Sequence, residues 1–333
     1  MHPVVPATHG NAWSRHGLVP RVSAHAHWRV ARLQVRVAAN LTFVGVPLNT
    51  VTIGRDDGPT LVLVHGLGGS WQNWKPILGT LTERFRVVAV DLPGFGGSPR
   101  PYGRWTMHEA ATAVAAAAAR HARGPRLVCG HSLGGAVALQ LAVDHPNEVD
   151  GMLLLSPAGV VAGQPRQLRR RHHAGHRMWR MFVRTNGSAL LRSARLREQV
   201  LARVVHDPTV LDARSAAWLC GWVGHARSTL QARQEVIGTG LVDDLGRIGV
   251  PTRVVWGVED RLLPLRTADV LEAELPGCVV TRLEQCGHLP HWERPAEVLA
   301  AAAELRELVL ATTPPLRMPS QAVPEAAAPA AMR

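Results

Sequence analysis

The sequence predicts an α/β protein in which a mostly parallel β-sheet is flanked by helices and interrupted by an inserted helical segment. Three observations support this fold class. Short apolar runs without polar alternation recur along the chain, which is typical of parallel strands buried on both faces. Helical stretches separate these runs, as the crossover connections of a parallel sheet require. The alternation stops once, between about residues 160 and 240, where helical stretches follow one another without a strand.

The N-terminal part is predicted to be a loose extension followed by strands. Residues 1–32 are rich in His, Arg and Pro, so we expect a partly disordered extension with a short helix near 24–32. Alternating apolar residues at Leu33, Val35 and Val37 begin the strand pattern. Further strands are predicted at 41–44 and 50–53.

The central strands and helices define the predicted domains. The strand-forming runs are Leu61–Val64, Val87–Val90, Leu127–Cys129, Met152–Leu155, Thr252–Trp256 and Cys278–Leu283. Helices are predicted at 71–82, 107–122, 133–145, 265–275 and 295–311. We therefore predict a core of residues 33–159 and 241–312, a helical cap of residues 160–240, and a disordered Pro/Ala-rich tail of residues 313–333.

The chain is strongly basic, with a formal net charge of +12. Residues 160–206 contain eleven arginines and one acidic residue, Glu198. Such clusters can meet anionic lipid, nucleic acid or an acidic substrate. No nucleic-acid-binding motif accompanies the arginines, so we predict no nucleic-acid partner. A weak contact between the basic cap and an anionic membrane surface is a hypothesis that the charge supports.

Apolar runs, cysteines and histidine spacing predict a cytoplasmic protein without metal or cofactor. No apolar run approaches the ~18 residues that a membrane span needs, and the N-terminus lacks the apolar segment of a secretory signal. The four cysteines show no C-x-x-C pairing, which favours reduced thiols. The cluster His172, His173 and His176 has no carboxylate or cysteine beside it, so no metal site is predicted.

The most informative local pattern is G-x-S-x-G at residues 130–134, which lies between an apolar strand and a helical stretch. A serine on a sharp strand-to-helix turn is lifted above the carboxyl edge of the sheet, and only glycine fits two residues before and after it. Ser132 is therefore the predicted nucleophile, and Gly130 and Gly134 shape its turn. The amide of Leu133, at the helix N-terminus, is a predicted oxyanion donor.

A second glycine-rich stretch, residues 65–69, directly follows an apolar strand. Its glycines let the backbone turn back towards the nucleophile, so the Leu67 amide is the predicted second oxyanion donor. His65, Gly66 and His131 are predicted to shape the site, and neither histidine is the predicted base.

Position selects the base and the acid, because 17 histidines make composition uninformative. His288 follows the last predicted strand and so reaches the same carboxyl edge as Ser132, with His291 as the alternative base. A base of this kind needs an acid that orients its imidazole. Asp260, just after the preceding strand, is the preferred acid, although spacing alone does not exclude Glu259.

With these motifs the chain resembles the α/β-hydrolase superfamily, in its capped esterase, lipase and C–C hydrolase branch. The resemblance covers roughly residues 40–311 and rests on HGLGGS (65–70), DLPGFGGS (91–98), GHSLGG (130–135), WGVEDRLLP (256–264) and GHLPHWERP (287–295). It implies the α/β-hydrolase fold, Ser132 as nucleophile, Asp260 as acid and His288 as base. It also implies an oxyanion hole formed by the Leu67 and Leu133 amides, a cap after the strand at 152–155, and structural hydrogen bonding around Asp91.

Residues and resemblance together predict a serine hydrolase that cleaves an ester through an acyl-enzyme, as carboxylesterases and lipases do. The Trp, Leu, Val and Met residues of the cap favour a small-molecule substrate with an apolar part. Hydrolysis of a C–C bond, amide hydrolysis and perhydrolysis use the same three side chains, and spacing does not separate them. A non-catalytic receptor for a small apolar ligand is the alternative from another functional class.

Overall fold

We describe the chain from a computed structural model that covers residues 29–30, 33–34, 36–43, 46–101, 103–161, 193–212, 215–216, 219 and 228–312, with side chains from residue 48 onwards. The tail, most of the extension, the histidines at 172, 173 and 176 and much of the cap lie outside these ranges. The division into core and cap therefore stays a prediction. The prediction of a short helix near 24–32 is wrong for residues 29–30, because Arg29–Val30 is a strand.

The core is an eight-stranded sheet in which six neighbouring strands pair in parallel, so the predicted fold class is confirmed. The strand order is β10-β9-β8-β7-β5-β6-β4-β3; β4 pairs antiparallel with both β6 and β3, and β1 and β2 form a separate antiparallel pair. The strands are β1 (Arg29–Val30), β2 (Leu33–Gln34), β3 (Arg36–Phe43), β4 (Val46–Gly54), β5 (Thr60–Val64), β6 (Arg86–Val90), β7 (Arg126–His131), β8 (Gly151–Leu155), β9 (Thr252–Gly257) and β10 (Cys278–Leu283).

Helices cover both faces of this sheet. They are α1 (Lys75–Arg84), α2 (Met107–His121), α3 (Leu133–Asp144), α4 (Ala194–Leu201), α5 (Thr229–Gly238), α6 (Arg266–Glu274), α7 (Pro290–Glu293) and α8 (Pro295–Thr312). Short 3-10 helices occur at Trp71–Trp74, Pro146–Glu148, Pro208–Val210 and Val242–Arg247. Between residues 160 and 240 the described part contains α4, one 3-10 turn, helical residues at 215–216 and 219, and α5.

Alternate residues of the central strands belong to two separate hydrophobic cores. In β5, Val62 and Val64 pack with α2 and α3, whereas Leu61 and Leu63 pack with α1 and α8. This three-layer arrangement explains why the strand runs are apolar at every position. The expectation of burial on both faces is wrong for β10, an edge strand in which Val279 is 49% exposed.

The parallel register brings four loops to one edge of the sheet. Val64 of β5 pairs with Gly130 of β7, and β7, β8, β9 and β10 continue in parallel. The loops that follow β5, β7, β9 and β10 therefore leave from the same carboxyl edge, where open α/β sheets bind their ligands. No helix in the described ranges has the length and apolar character to cross a membrane.

Candidate active site

Ser132 occupies a strained turn between β7 and α3. Its φ of 53° and ψ of −114° are rare for a residue with a side chain. The turn is held by its backbone, because Ser132 N donates to Leu155 O at 3.0 Å and Ser132 O accepts from the amides of Gly135, Ala136 and Ala158. The strain is thus stabilised by neighbours on β8 and α3.

The glycines around Ser132 are required by close backbone contacts. A Cβ on Gly130 would overlap the carbonyl of Gly134, and one on Gly134 would overlap the carbonyl of Val64. A Cβ on Gly66 would lie 2.8 Å from His131 Nδ1 and 3.3 Å from the Cβ of Ser132. The loop after β5 therefore packs directly against the serine turn, as the sequence predicts.

Ser132, His288 and Asp260 form one line of hydrogen bonds. His288 Nε2 lies 2.9 Å from Ser132 Oγ, and His288 Nδ1 lies 2.6 Å from Asp260 Oδ2. The Asp260 side chain is fully buried and that of His288 is 6% exposed. Because Nδ1–H donates to the carboxylate, Nε2 is free to accept the proton of the serine hydroxyl.

The second oxygen of Asp260 has its own partners. Oδ1 accepts from the amides of Leu262 at 2.8 Å and Leu263 at 2.9 Å. The loop after β9 thus fixes the carboxylate so that Oδ2 faces the imidazole.

The two alternatives left open by the sequence have other partners. Glu259 Oε2 accepts from the amide of Cys286 at 2.9 Å, and this hydrogen bond lowers the pKa of Glu259. His291 is fully buried, and neither of its ring nitrogens has a hydrogen-bond partner in the described part of the chain. Burial, reinforced by the charge of His288, lowers the pKa of His291 to about 3. Neither residue shares a hydrogen bond with Ser132 or with the imidazole of His288.

The two histidines predicted to shape the site make hydrogen bonds to backbone groups of neighbouring loops. His131 Nε2–H donates to the carbonyl of His288 at 2.8 Å, which ties the serine turn to the loop that carries the base. His65 Nδ1 donates to Gly66 O at 2.8 Å, and its Nε2 accepts from Leu92 N at 3.0 Å. Burial lowers the pKa of both imidazoles, so both are neutral at pH 7.

Asp91 makes the structural hydrogen bonds that the resemblance implies. Its buried carboxylate accepts from Asn49 Nδ2 at 2.8 Å and from the amides of Trp71 and Gly97 at 2.7 and 2.8 Å. Ser98 Oγ donates to the Asp91 carbonyl at 2.6 Å. These bonds support the loop after β6 and place no group of Asp91 on Ser132.

The two predicted oxyanion donors lie in the loops that meet at Ser132. Leu133 is the first residue of α3, and Leu67 stands between Gly66 and Gly68. Within the ranges that the structure describes, neither amide donates to a protein acceptor. A first-turn helix amide has no intrahelical partner, so that of Leu133 can receive a substrate oxygen.

Sequence reasoning missed the contacts behind His288. Glu293 accepts hydrogen bonds from Gly287 N and from His206 N, which is 87 residues away along the chain, and His288 N donates to Val204 O. No local pattern reveals such pairs; the only sequence sign was the place of Glu293 in the quoted segment 287–295. In the described ranges no group of His, Cys, Asp and Glu residues could hold a metal ion.

Family comparison agrees with this geometry. Residues 61–302 match the model of the alpha/beta hydrolase family. The chain belongs to this family. The resemblance predicted from its motifs is confirmed, and relatives with an esterase or deacetylase name support a hydrolase.

Individual relatives of this α/β-hydrolase include two enzymes and one solved structure. It is 29% identical over 252 residues to a pimeloyl-[acyl-carrier protein] methyl ester esterase of Nitrosomonas europaea, which covers 73% of this chain and 94% of that protein. It is 30% identical over 246 residues to a pyrrolizixenacetamide deacetylase of Xenorhabdus hominickii, covering 73% and 88% respectively. The crystal structure of a bacterial membrane phospholipase A is 28% identical, with a TM-score of 0.67 and coverage of 84% of this chain and 87% of that chain.

Proposed function

We propose that this α/β-hydrolase cleaves carboxylic esters through an acyl-enzyme, with Ser132 as nucleophile, His288 as general base and Asp260 as the acid that orients it. The observation that carries the proposal is the line of hydrogen bonds from Ser132 Oγ at 2.9 Å to His288 and from His288 at 2.6 Å to Asp260. This is the arrangement that turns a weakly nucleophilic hydroxyl into an attacking group.

Acylation begins when His288 Nε2 takes the hydroxyl proton and Ser132 Oγ attacks the ester carbonyl. The negative charge that forms on the carbonyl oxygen is received by the amides of Leu67 and Leu133, which are the proposed oxyanion hole. His288 then gives its proton to the departing alcohol. Asp260 stabilises the imidazolium while His288 holds the proton, because its Oδ2 faces Nδ1.

Deacylation repeats these steps with water as the nucleophile. His288 removes a proton from the water, the hydroxide attacks the acyl carbon, and Ser132 leaves with the proton returned by His288. The products are a carboxylic acid and an alcohol. We further propose that residues 160–240 form a cap over this site and favour a small-molecule substrate with an apolar part.

Relatives support ester hydrolysis and one competing reaction. The methyl ester esterase and the phospholipase act on esters by name. The deacetylase of Xenorhabdus hominickii, named for an acetamide, supports amide hydrolysis as the second candidate. An amide differs from an ester in its poorer leaving group, so the same residues serve both reactions.

A substrate panel tests the proposal. We expect turnover of p-nitrophenyl esters, to be compared over increasing acyl-chain length with a p-nitroanilide and a vinylogous diketone. Ser132→Ala should lower kcat by about 10⁴-fold or more while circular dichroism stays unchanged. Full esterase activity in Ser132→Ala would refute the assignment of the nucleophile.

Covalent labelling separates the enzyme from a receptor. A fluorophosphonate probe should label wild type at Ser132 and leave Ser132→Ala unlabelled, because the probe reacts only with an activated serine. A folded wild-type protein that resists the probe and hydrolyses none of the panel would favour a ligand receptor instead.

A further inference from the structure

The backbone of the loop that carries His288 is bonded to a segment from the base of the predicted cap. We call residues 201–207 the cap-base segment. His288 N donates to Val204 O at 2.8 Å, and a Cβ on Gly287 would lie 2.7 Å from His206 N. The side chain of Arg261, next to Asp260, donates to Ala202 O. The cap-base segment therefore contacts both the loop that carries His288 and the loop that carries Asp260.

A small hydrophobic cluster joins the same parts of the chain. Its buried members are Leu201 and Val205 of the cap-base segment, Leu211 directly after the following 3-10 turn, Ala216, and Leu289 directly after His288. Apolar packing of this kind resists separation but is not directional. The exact placement of the His288 backbone therefore depends on the hydrogen bonds.

One carboxylate connects the two segments. Glu293, the last residue of α7, accepts from Gly287 N at 2.9 Å with Oε1. Its Oε2 accepts from His206 N at 2.6 Å and from Asp207 N at 3.4 Å. Each oxygen of Glu293 thus accepts hydrogen bonds from a different segment. Gly287 is the residue directly before His288, the proposed general base.

The strength of hydrogen bonds to a carboxylate favours a specific role for Glu293. Burial raises the pKa of Glu293, and the amides of His206, Gly287 and Asp207 oppose that rise. Hydrogen bonds to an ionised acceptor are about twice as strong as those between neutral groups. A glutamine at this position has one acceptor oxygen, so it can satisfy one segment and must turn its NH₂ group towards the amides of the other.

We propose that Glu293 is a positioning residue that holds the cap-base segment and the loop of His288 together, so that the base of the cap forms part of the support of the catalytic imidazole. The proposal rests on the proposed function of Ser132, His288 and Asp260. The backbone of residues 287–288 is then held from three sides, by Val204 O, by His131 Nε2–H and by Glu293. These contacts keep His288 Nε2 at 2.9 Å from Ser132 Oγ.

The matched variants are Glu293→Gln and Glu297→Gln. Glu297 lies four residues further on, in the first turn of α8, and is exposed. Displacement of a reacting group by about 1 Å can cost about 100-fold in rate. We therefore expect Glu293→Gln to lower kcat on a p-nitrophenyl ester by about 10- to 100-fold. We also expect KM to stay near the wild-type value and fluorophosphonate labelling to slow by the same factor as kcat. Glu297→Gln should match wild type in all three.

Amide hydrogen exchange tests, without reference to activity, whether Glu293 holds the two segments together. In Glu293→Gln the amides of Gly287 and His206 should exchange faster than in wild type, while amides in the centre of β7 keep their protection. Circular dichroism establishes that the variant is folded. A raised KM with unchanged kcat, or unchanged exchange at both amides, would overturn the proposal.

Failure of the proposed function gives a different pattern. In that case wild type itself resists the fluorophosphonate and hydrolyses no ester. The exchange experiment then still decides whether Glu293 joins the two segments. Faster exchange in Glu293→Gln supports this link, and unchanged exchange contradicts it.

Discussion

Two adjacent carboxylates after β9 have different hydrogen-bond partners because the chain turns between them. Asp260 turns inward, where its buried side chain meets His288 at 2.6 Å. Glu259 turns to the backbone of Cys286 at 2.9 Å. Residue type and spacing are nearly identical for the two, so spacing alone could not exclude Glu259 beside the preferred Asp260, whereas their hydrogen-bond partners differ.

Substitution at these two positions should therefore give unequal losses. Asp260→Asn keeps the shape but lets the imidazole adopt the wrong tautomer, so we expect kcat to fall by about 10⁴-fold. Glu259→Gln keeps an oxygen for Cys286 N and should leave kcat within about tenfold of wild type, because Glu259 takes no part in the proton transfer that contributes about 10²–10⁴-fold. Steady-state ester hydrolysis by both variants is the measurement, and equal losses would contradict the assignment of the acid.

Single residues of the candidate site were predictable where a local backbone requirement exists. The turn at Ser132 and its glycines was predictable because a strained turn and close backbone contacts demand those residue types. Glu293 was not found, because its partner His206 is distant along the chain and any carboxylate at the end of a short helix looks alike in sequence. Non-local hydrogen bonds leave no periodic pattern.

Elements were predicted well where both faces are buried. The runs Leu61–Val64 and Met152–Leu155 fall inside β5 and β8, since each residue packs on one of two helical layers. Edge position is invisible to such runs, which is why β10 was expected to be buried and is not. The predicted helix at 71–82 begins as a 3-10 turn, and α1 starts only at Lys75.

Two glycines in helices should respond oppositely to alanine. At Gly134, in the first turn of α3, a Cβ would overlap the carbonyl of Val64, so Gly134→Ala must push α3 away from β5. At Gly79, inside α1, a Cβ would meet nothing within 4 Å. We expect Gly79→Ala to raise the free energy of unfolding by about 0.4–1 kcal/mol through reduced freedom of the unfolded chain.

The same pair separates stability from activity at the level of the element. Gly134→Ala should lower both the free energy of unfolding and ester hydrolysis, because the helix that it displaces carries Ser132 at its N-terminus. Gly79→Ala should leave hydrolysis unchanged. Urea unfolding and steady-state kinetics on both variants are the measurements, and a fully stable, fully active Gly134→Ala would show that the close contact is not required.

Across the whole molecule, buried neutral histidines couple stability to pH. His65, His131 and His291 are all buried, and burial lowers the pKa of each. The rings of His131 and His291 lie 4.8 Å apart between centroids, and that of His291 packs 5.0 Å from Trp74. Charging His131 or His291 would place an unpaired cation in the core beside the proposed site, so the native state resists their protonation.

The contribution of His291 to the pH dependence of the free energy of unfolding is large enough to measure. Its pKa of about 3 in the folded chain lies below the value of about 6.5 expected in the unfolded chain, so below pH ~6.5 the unfolded state binds more protons. Its contribution to stability is therefore complete above pH ~6.5 and is lost progressively as the pH falls towards ~3. Between pH 7 and pH 5 this loss amounts to about 2 kcal/mol.

Replacement of His291 by phenylalanine should remove that part of the pH dependence. We expect the decrease in the free energy of unfolding between pH 7 and pH 5 to be about 2 kcal/mol smaller in His291→Phe than in wild type. Urea unfolding followed by tryptophan fluorescence at both pH values measures the difference. Parallel stability curves for wild type and His291→Phe would mean that this imidazole is already protonated in the folded chain, or that water reaches it.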